Sequence, residues 1–233
     1  MMTRQHMIDN GHDEVLAVEQ RRANTYSLLA TLFQPPTDGG LDTLAETDGR
    51  AVSIDTEALA ASAAEADDLT LDHAGLFVGP FELEAPPYES VYLDDEERVM
   101  TESTAEVQLE YTEAGVDIDI DEPADHVAAE LEFTFLLVAT EIEALEAGAF
   151  EAAEHYLERQ YEFLADHLGR WISELAENMR EHADTEFYRL LADEAQSFVE
   201  SDGKRLADRL NRLDGTDDGL PTALEEVSID DAR

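Results

Sequence analysis

From Val15 to Leu206 the apolar residues of this chain return every three or four positions, a period that suits the face of a helix and not the pleat of a strand. The C-terminal half shows it most plainly. There Phe150, Tyr156, Leu157, Tyr161, Leu164, Leu168, Trp171, Ile172 and Leu175 form a nearly uninterrupted stripe. Near the start, Val15, Val18, Arg22, Tyr26, Leu29 and Phe33 step along one face until Gln34-Pro35-Pro36 stops the helix. One run alternates instead, Val116, Ile118 and Ile120, but it has no second strand to pair with and reads as an acidic loop. The period predicts an all-α fold, a single globular helical bundle of about ten helices.

The expected helices cover 13–33, 41–46, 56–66, 69–78, 102–114 and 125–148, with another from Phe150 and a last one after Asp184 or Thr185 as cap. Val107, Leu109 and Tyr111 are the apolar members of 102–114, and Gly115 is its stop. Asp125 is expected to cap the long helix that follows it. Residues 1–12 read as a flexible N-terminus, 13–213 as the helical domain, and the Gly-, Asp- and Thr-rich 214–233 as a disordered acidic tail.

Charge narrows the class of partner. Asp and Glu number 57 against 14 Lys and Arg, a formal charge of −43, and Lys204 is the only lysine. Nucleic acid is a poor ligand for such a chain, because neutralising phosphates requires clustered basic residues. An anionic membrane surface would repel it, and no apolar run approaches the ~20 residues of a membrane span. High charge accompanies disorder in many chains, yet here 43% of residues are hydrophobic and helically spaced. We read the charge as an adaptation to a concentrated-salt, halophilic cytosol that screens carboxylate repulsion.

With no cysteine there is no disulfide framework, thiolate metal site or cysteine nucleophile. Arg21-Arg22 ahead of Leu28-Leu29-Ala30 imitates a twin-arginine export signal. Acidic Asp13, Glu14 and Glu19 precede the pair, however, and Pro35-Pro36 cuts the apolar run short. A cytoplasmic protein is expected.

Two segments depart from plain helix. The first runs Leu76-Phe77-Val78-Gly79-Pro80-Phe81, then Ala85-Pro86-Pro87-Tyr88-Glu89-Ser90-Val91-Tyr92. Its prolines force irregular, extended backbone, and its aromatic residues read as core plugs or as a binding surface. Burial is the expectation for Leu76, Phe77 and Phe81, and Ser90 reads as a local cap. The second is Pro123-Ala124-Asp125-His126-Val127-Ala128-Ala129-Glu130-Leu131-Glu132-Phe133. Together they resemble the "LFxGP…APPxESVY" and "P-x-D-H-x-x-x-E-L-x-F" signatures of the TorD/DmsD/NarJ family, helical chaperones of molybdenum-containing oxidoreductases. Residues 26–33 with Pro35-Pro36, 163–171 and 187–192 resemble further helices of that family, so the likeness covers roughly 20–200 in order.

The resemblance implies a cytoplasmic chaperone that binds the twin-arginine signal peptide and apo form of a molybdopterin oxidoreductase catalytic subunit. The client would be of the dimethyl-sulfoxide, trimethylamine-N-oxide or nitrate reductase class, held until its cofactor is inserted. It implies peptide-binding roles for Tyr88, Glu89, Ser90, Tyr92, Asp125, His126 and Glu130, with Asp125 offering a carboxylate to a peptide arginine. Tyr88 stands where family members often carry Trp, which keeps an aromatic face but alters the preference.

An enzyme is not expected. Di-iron bundles need Glu-x-x-His, and none of the seven histidines has Glu three positions before it. No phosphate loop, dinucleotide fingerprint, metal motif or Gly-x-Ser-x-Gly elbow occurs, and no cofactor is expected. A helical adaptor or regulatory module is the alternative, and monomer or homodimer stays open.

Overall fold

In the computed structural model the described residues are 4–79, 83–94, 102–116 and 122–216, with side chains described between 13 and 213. They form ten α-helices and one π-helical turn, and no strand. Helix α1 (Arg4–Leu32) begins inside the stretch expected to be flexible. It is followed by α2 (Asp38–Glu46), α3 (Thr56–Glu65), α4 (Leu69–His73) and the π-helical turn Ala74–Val78. Then come α5 (Glu89–Leu93), α6 (Glu102–Ala114), α7 (Val127–Glu146), α8 (Phe150–Asp166), α9 (Leu168–His182) and α10 (Glu186–Thr216). Phe81, the alternating Ile118 and Ile120, and most of the acidic tail lie outside the described residues.

Local chemistry explains most boundaries. Asp55 accepts the Ala58 amide at 3.0 Å and Asp68 the Leu71 amide at 3.0 Å, so α3 and α4 each start on a side-chain cap. Gly115, at φ 69°, ends α6 in a Schellman turn: Val116 N–H reaches Tyr111 O at 2.9 Å and Gly115 N–H reaches Thr112 O at 3.0 Å. Gly148 ends α7 the same way, through Ala149 N–H to Ala144 O at 2.8 Å.

The core joins all three regions of the chain. Helix α1 lies along α7, α7 along α8, and α9 along α10. Between them Tyr26, Phe133, Phe163, Trp171 and Leu191 are closed off from water. Each buried phenylalanine contributes on the order of 1.5–3 kcal/mol of transfer free energy.

Three sequence expectations are corrected here. The C-terminal stripe is not one helix: it breaks at His167 (φ −124°, ψ −107°), and α9 turns across the end of α8 so tightly that a Cβ on Gly169 would meet Leu164 O at 2.3 Å. Phe150 and Tyr161, read as members of that stripe, are exposed, as is Leu109 on α6. Val15 and Val18 are exposed too, because α1 turns Leu16, Glu19, Arg22 and Ala23 inward instead.

The charged members of that inward line belong to a buried network. Arg22 grips Asp202 through Nε and Nη2, each at 2.6 Å, Glu19 at 2.5 Å and Gln160 Oε1 at 2.9 Å. Gln160 donates to Glu141 at 2.7 Å, Arg209 bonds both Glu19 (2.8 Å) and Glu141 (2.7 Å), and Arg205 also meets Glu19. Tyr26 O–H donates to Asp202 at 2.8 Å. Three guanidinium groups thus face three carboxylates where α1, α7, α8 and α10 meet, the condition under which buried charge is tolerated. Arg21 points elsewhere, to Arg50 O at 3.1 Å, so the adjacent arginines are split between core and surface.

Candidate functional site

The proline segment and the start of α7 are locked together. After the π-helical turn, Ala85 N–H bonds Leu76 O at 3.0 Å and the chain runs extended through Pro86 and Pro87. Glu89 N–H then donates to Asp125 O at 3.0 Å, and Val127 N–H to Pro87 O at 2.9 Å. These two bonds make Tyr88 and His126 an isolated antiparallel bridge. Their rings meet edge-on, centroids 5.3 Å apart. Residues 35 or more positions apart in sequence are therefore one joint in space.

Asp125 does not cap its own helix. His126 is the N-cap of α7, its Nδ1 accepting the Ala128 amide at 3.1 Å. Asp125 instead crosses to α5, where Oδ2 accepts the Ser90 amide at 3.1 Å. Helix α5 begins at Tyr88, a residue with no short side-chain acceptor, so the missing cap arrives from the neighbouring segment. Burial, with His73 nearby, pushes His126 down to about 4, so it remains a neutral acceptor.

Beneath the joint lie two more carboxyl groups. Glu89 faces His167 Nδ1 at 3.2 Å, and Glu130 accepts the Trp171 indole N–H at 3.1 Å, from partners one turn apart. Glu130 is held well above the ordinary carboxyl range by burial first, then by the charge and hydrogen bond of Glu89. Glu130 thus favours its neutral form, which lowers the negative charge buried in this cluster. Ser90 Oγ, expected to cap local backbone, does not do so: among the described residues it, Asp125 Oδ1 and Glu130 Oε1 are buried without a hydrogen-bond partner.

The two tyrosines face outward. Tyr88 is half-buried and donates to Glu122 at 3.1 Å; burial, then Glu122, pushes its hydroxyl up to about 12. Tyr92 stacks on Trp171, centroids 5.4 Å apart and planes 23° apart, and its hydroxyl accepts from Asn178 at 3.3 Å. Burial pushes it up to about 12 as well. Tyr111 O–H anchors the turn before Asp125 by donating to Ala124 O at 2.7 Å. Leu76 and Phe77 are buried as expected, Phe77 against Phe33 and Tyr188.

The structure brings Tyr88, Glu89, Ser90, Tyr92, Asp125, His126 and Glu130 together. His167 and Trp171 were missed as members of the site, although the 163–171 segment that carries them was recognised. Among the described residues no group of His, Asp and Glu could hold a metal ion, and no helix is long and apolar enough to cross a membrane.

The profile of the family described as nitrate reductase delta subunit matches residues 41–177, more than half of the chain and both halves of the joint. The chain belongs to the TorD/DmsD/NarJ family. It is similar to the chaperone protein TorD of Shewanella pealeana, 27% identical over 229 residues that cover 85% of this chain and 95% of the relative. The TorD of Shewanella loihica is 29% identical, covering 80% and 93% respectively. The Tat proofreading chaperone DmsD of Salmonella typhi is 32% identical over 145 residues, 59% of this chain and 64% of that protein. A crystal structure from Archaeoglobus fulgidus, described as a redox enzyme maturation protein, shares the fold with a TM-score of 0.56 at 22% identity, covering 77% of this chain and 93% of its own. The protein is a chaperone of this family and not an enzyme.

In the chaperone the carboxylates of the joint are buried: Asp125 and Glu130 expose nothing, and Glu89 only 1%. They lie beneath the aromatic pair, and the joint presents outward the half-buried Tyr88 and Tyr92 with the exposed Glu122 bonded to Tyr88.

Proposed function

We propose that this chaperone acts in the cytoplasm on a molybdopterin-dependent reductase of the dimethyl-sulfoxide, trimethylamine-N-oxide or nitrate reductase class. It holds the twin-arginine leader and the apoenzyme until the cofactor has been inserted. The observation that carries this reading is the match to a TorD chaperone over nearly the whole of that relative's length. The physical logic agrees: a basic leader is drawn to an acidic protein, and its apolar stretch needs an aromatic or alkyl surface. In concentrated salt the long-range attraction is screened, so short-range contacts supply most of the affinity.

At the joint, Tyr88 and Tyr92 make the contact, while Glu89, Ser90, Asp125, His126 and Glu130 hold them in place. A fluorescent twin-arginine leader peptide titrated against wild type and Tyr88→Ala tests this. The expected result is wild-type binding that the substitution weakens without changing the melting temperature. No binding of any twin-arginine peptide or molybdoenzyme precursor by the wild type would leave the helical adaptor as the better account.

A further inference from the structure

The joint leaves a problem unsolved. A leader segment combines guanidinium groups with an apolar stretch, yet Glu89, Asp125 and Glu130 are buried, and the joint offers outward only the half-buried Tyr88 and Tyr92 and the single exposed carboxylate of Glu122. An open surface that offers both carboxylates and alkyl groups is found elsewhere, in a groove of about 610 Å³ between α3, α4 and the start of α10.

Its floor is Ala58, Ala61, Ala66 and Leu71. Leu71, 69% exposed, is the most exposed large apolar side chain among the described residues. Alanines along a floor leave room for the bulkier side chains of an incoming segment. The rim carries Glu65, Asp67 and Asp184, together with Glu186, which is already paired with Arg189 at 3.3 Å; neither Lys nor Arg is among the residues that line the groove. Its walls are fixed before any ligand arrives. Buried Asp72 on α4 accepts the amides of Asp184 (3.1 Å) and Thr185 (2.8 Å) and the Thr185 hydroxyl (2.6 Å), pinning the start of α10.

Acidity alone would not single out this place on a chain of charge −43. A second, more apolar groove does the discriminating. It measures about 310 Å³ among Tyr161, Leu164, Val199 and Gly203, and Lys204, the only lysine in the chain, stands on its edge. A basic segment would meet a like charge there beside a single carboxylate, Glu200, and about half the room.

We infer that the α3–α4–α10 groove seats an arginine-bearing amphipathic segment of the client, with its apolar face on the alanine floor and its guanidinium groups against the rim carboxylates. This rests on the chaperone reading above. The groove holds the body of the segment and the joint its aromatic contacts.

The test uses the full chain in molar KCl and a fluorescent synthetic leader peptide with an Arg-Arg pair ahead of a leucine- and alanine-rich stretch. Ala61→Trp fills the floor, and Asp67→Asn with Asp184→Asn removes rim charge. All three positions are exposed, so folding should survive, and circular dichroism melting checks that it does. Filling the floor should weaken binding by about tenfold or more, and neutralising the rim should weaken it less while flattening its salt dependence. Leu71→Gln, a milder floor change, should fall between. Wild-type binding that none of these variants alters overturns the groove and leaves the chaperone reading standing. Failure of the wild type to bind overturns both.

Discussion

Two buried polar clusters in this chaperone solve the same problem in opposite ways. Around Arg22, three carboxylates are closed by three guanidinium groups, and the set ties α1 to α7, α8 and α10. At the joint, Glu89, Asp125 and Glu130 are as deeply buried, but no guanidinium among the described residues reaches them, and a retained proton, His167 and backbone amides take that role. Burying a carboxylate costs several kcal/mol unless it is paired, hydrogen-bonded or protonated. The first cluster is a neutral tie between distant helices. The second is an acidic tie that depends on pH; among the described residues both keep buried atoms without a hydrogen bond, Arg205 Nη1 in the first and Ser90 Oγ, Asp125 Oδ1 and Glu130 Oε1 in the second. Charge pairing and charge suppression are thus two solutions within one core.

The acidic coat around both clusters sets the largest expected effect. Dialysis from molar salt into dilute buffer should lengthen the range of carboxylate repulsion from about 3 Å to tens of ångströms and unfold much of the helix, reversibly by circular dichroism. Equal melting temperatures in both buffers would show that the coat is not under tension. Next in size, Arg22→Met should leave Asp202 and Glu19 buried with fewer partners and cost about 3–5 kcal/mol in denaturant unfolding. A loss below about 1 kcal/mol would erase the contrast between the clusters, since surface ion pairs are worth that little.

At the joint the effects are smaller and local. Asp125→Ala should cost about 1–2 kcal/mol, and hydrogen exchange should quicken at the Ser90 amide and not at the start of α7. Asp125→Asn, which keeps an acceptor, should lose less. Exchange quickening at Ala128 instead would mean that the cap belongs to α7 after all.

The smallest effect is the pH slope. Glu130 binds its proton more tightly folded than unfolded, where the ordinary value is 4.5. Its contribution to stability is therefore greatest below that value and is lost as pH rises toward the folded-state value. Glu130→Gln, which keeps the neutral form, should flatten the decline of melting temperature with rising pH, while the same scan on Arg22→Met should keep it. Parallel slopes for wild type and Glu130→Gln would place the proton elsewhere.

Helix type was readable along the chain because the period of apolar residues is a local quantity. So were the stops at Gly115 and Gly148, since each bond there spans a few residues; the caps at Asp55 and Asp68 are as local but were not singled out from the sequence. The family signature likewise picked out the residues of the joint. What local pattern could not say is which partner a side chain takes when several are chemically equal. Asp125 stands before α7 and caps α5; Asp72 lies on α4 and fixes the start of α10 more than 100 residues away. Val15 and Val18 match the apolar period of α1, yet Glu19 and Arg22 take the inward side, because guanidinium groups on α10 and α1 arrive together with the carboxylates they neutralise.

The sequence by itself thus determined the all-helical class, the glycine stops made within a few residues, and seven residues of the joint. Only the tertiary structure decided that the joint's carboxylates are buried, that α8 and α9 part at His167, and that His167 and Trp171 complete the site. The reason is physical: hydrogen bonds inside an element follow from spacing, whereas the desolvation that sets the fate of a charge depends on every helix packed around it.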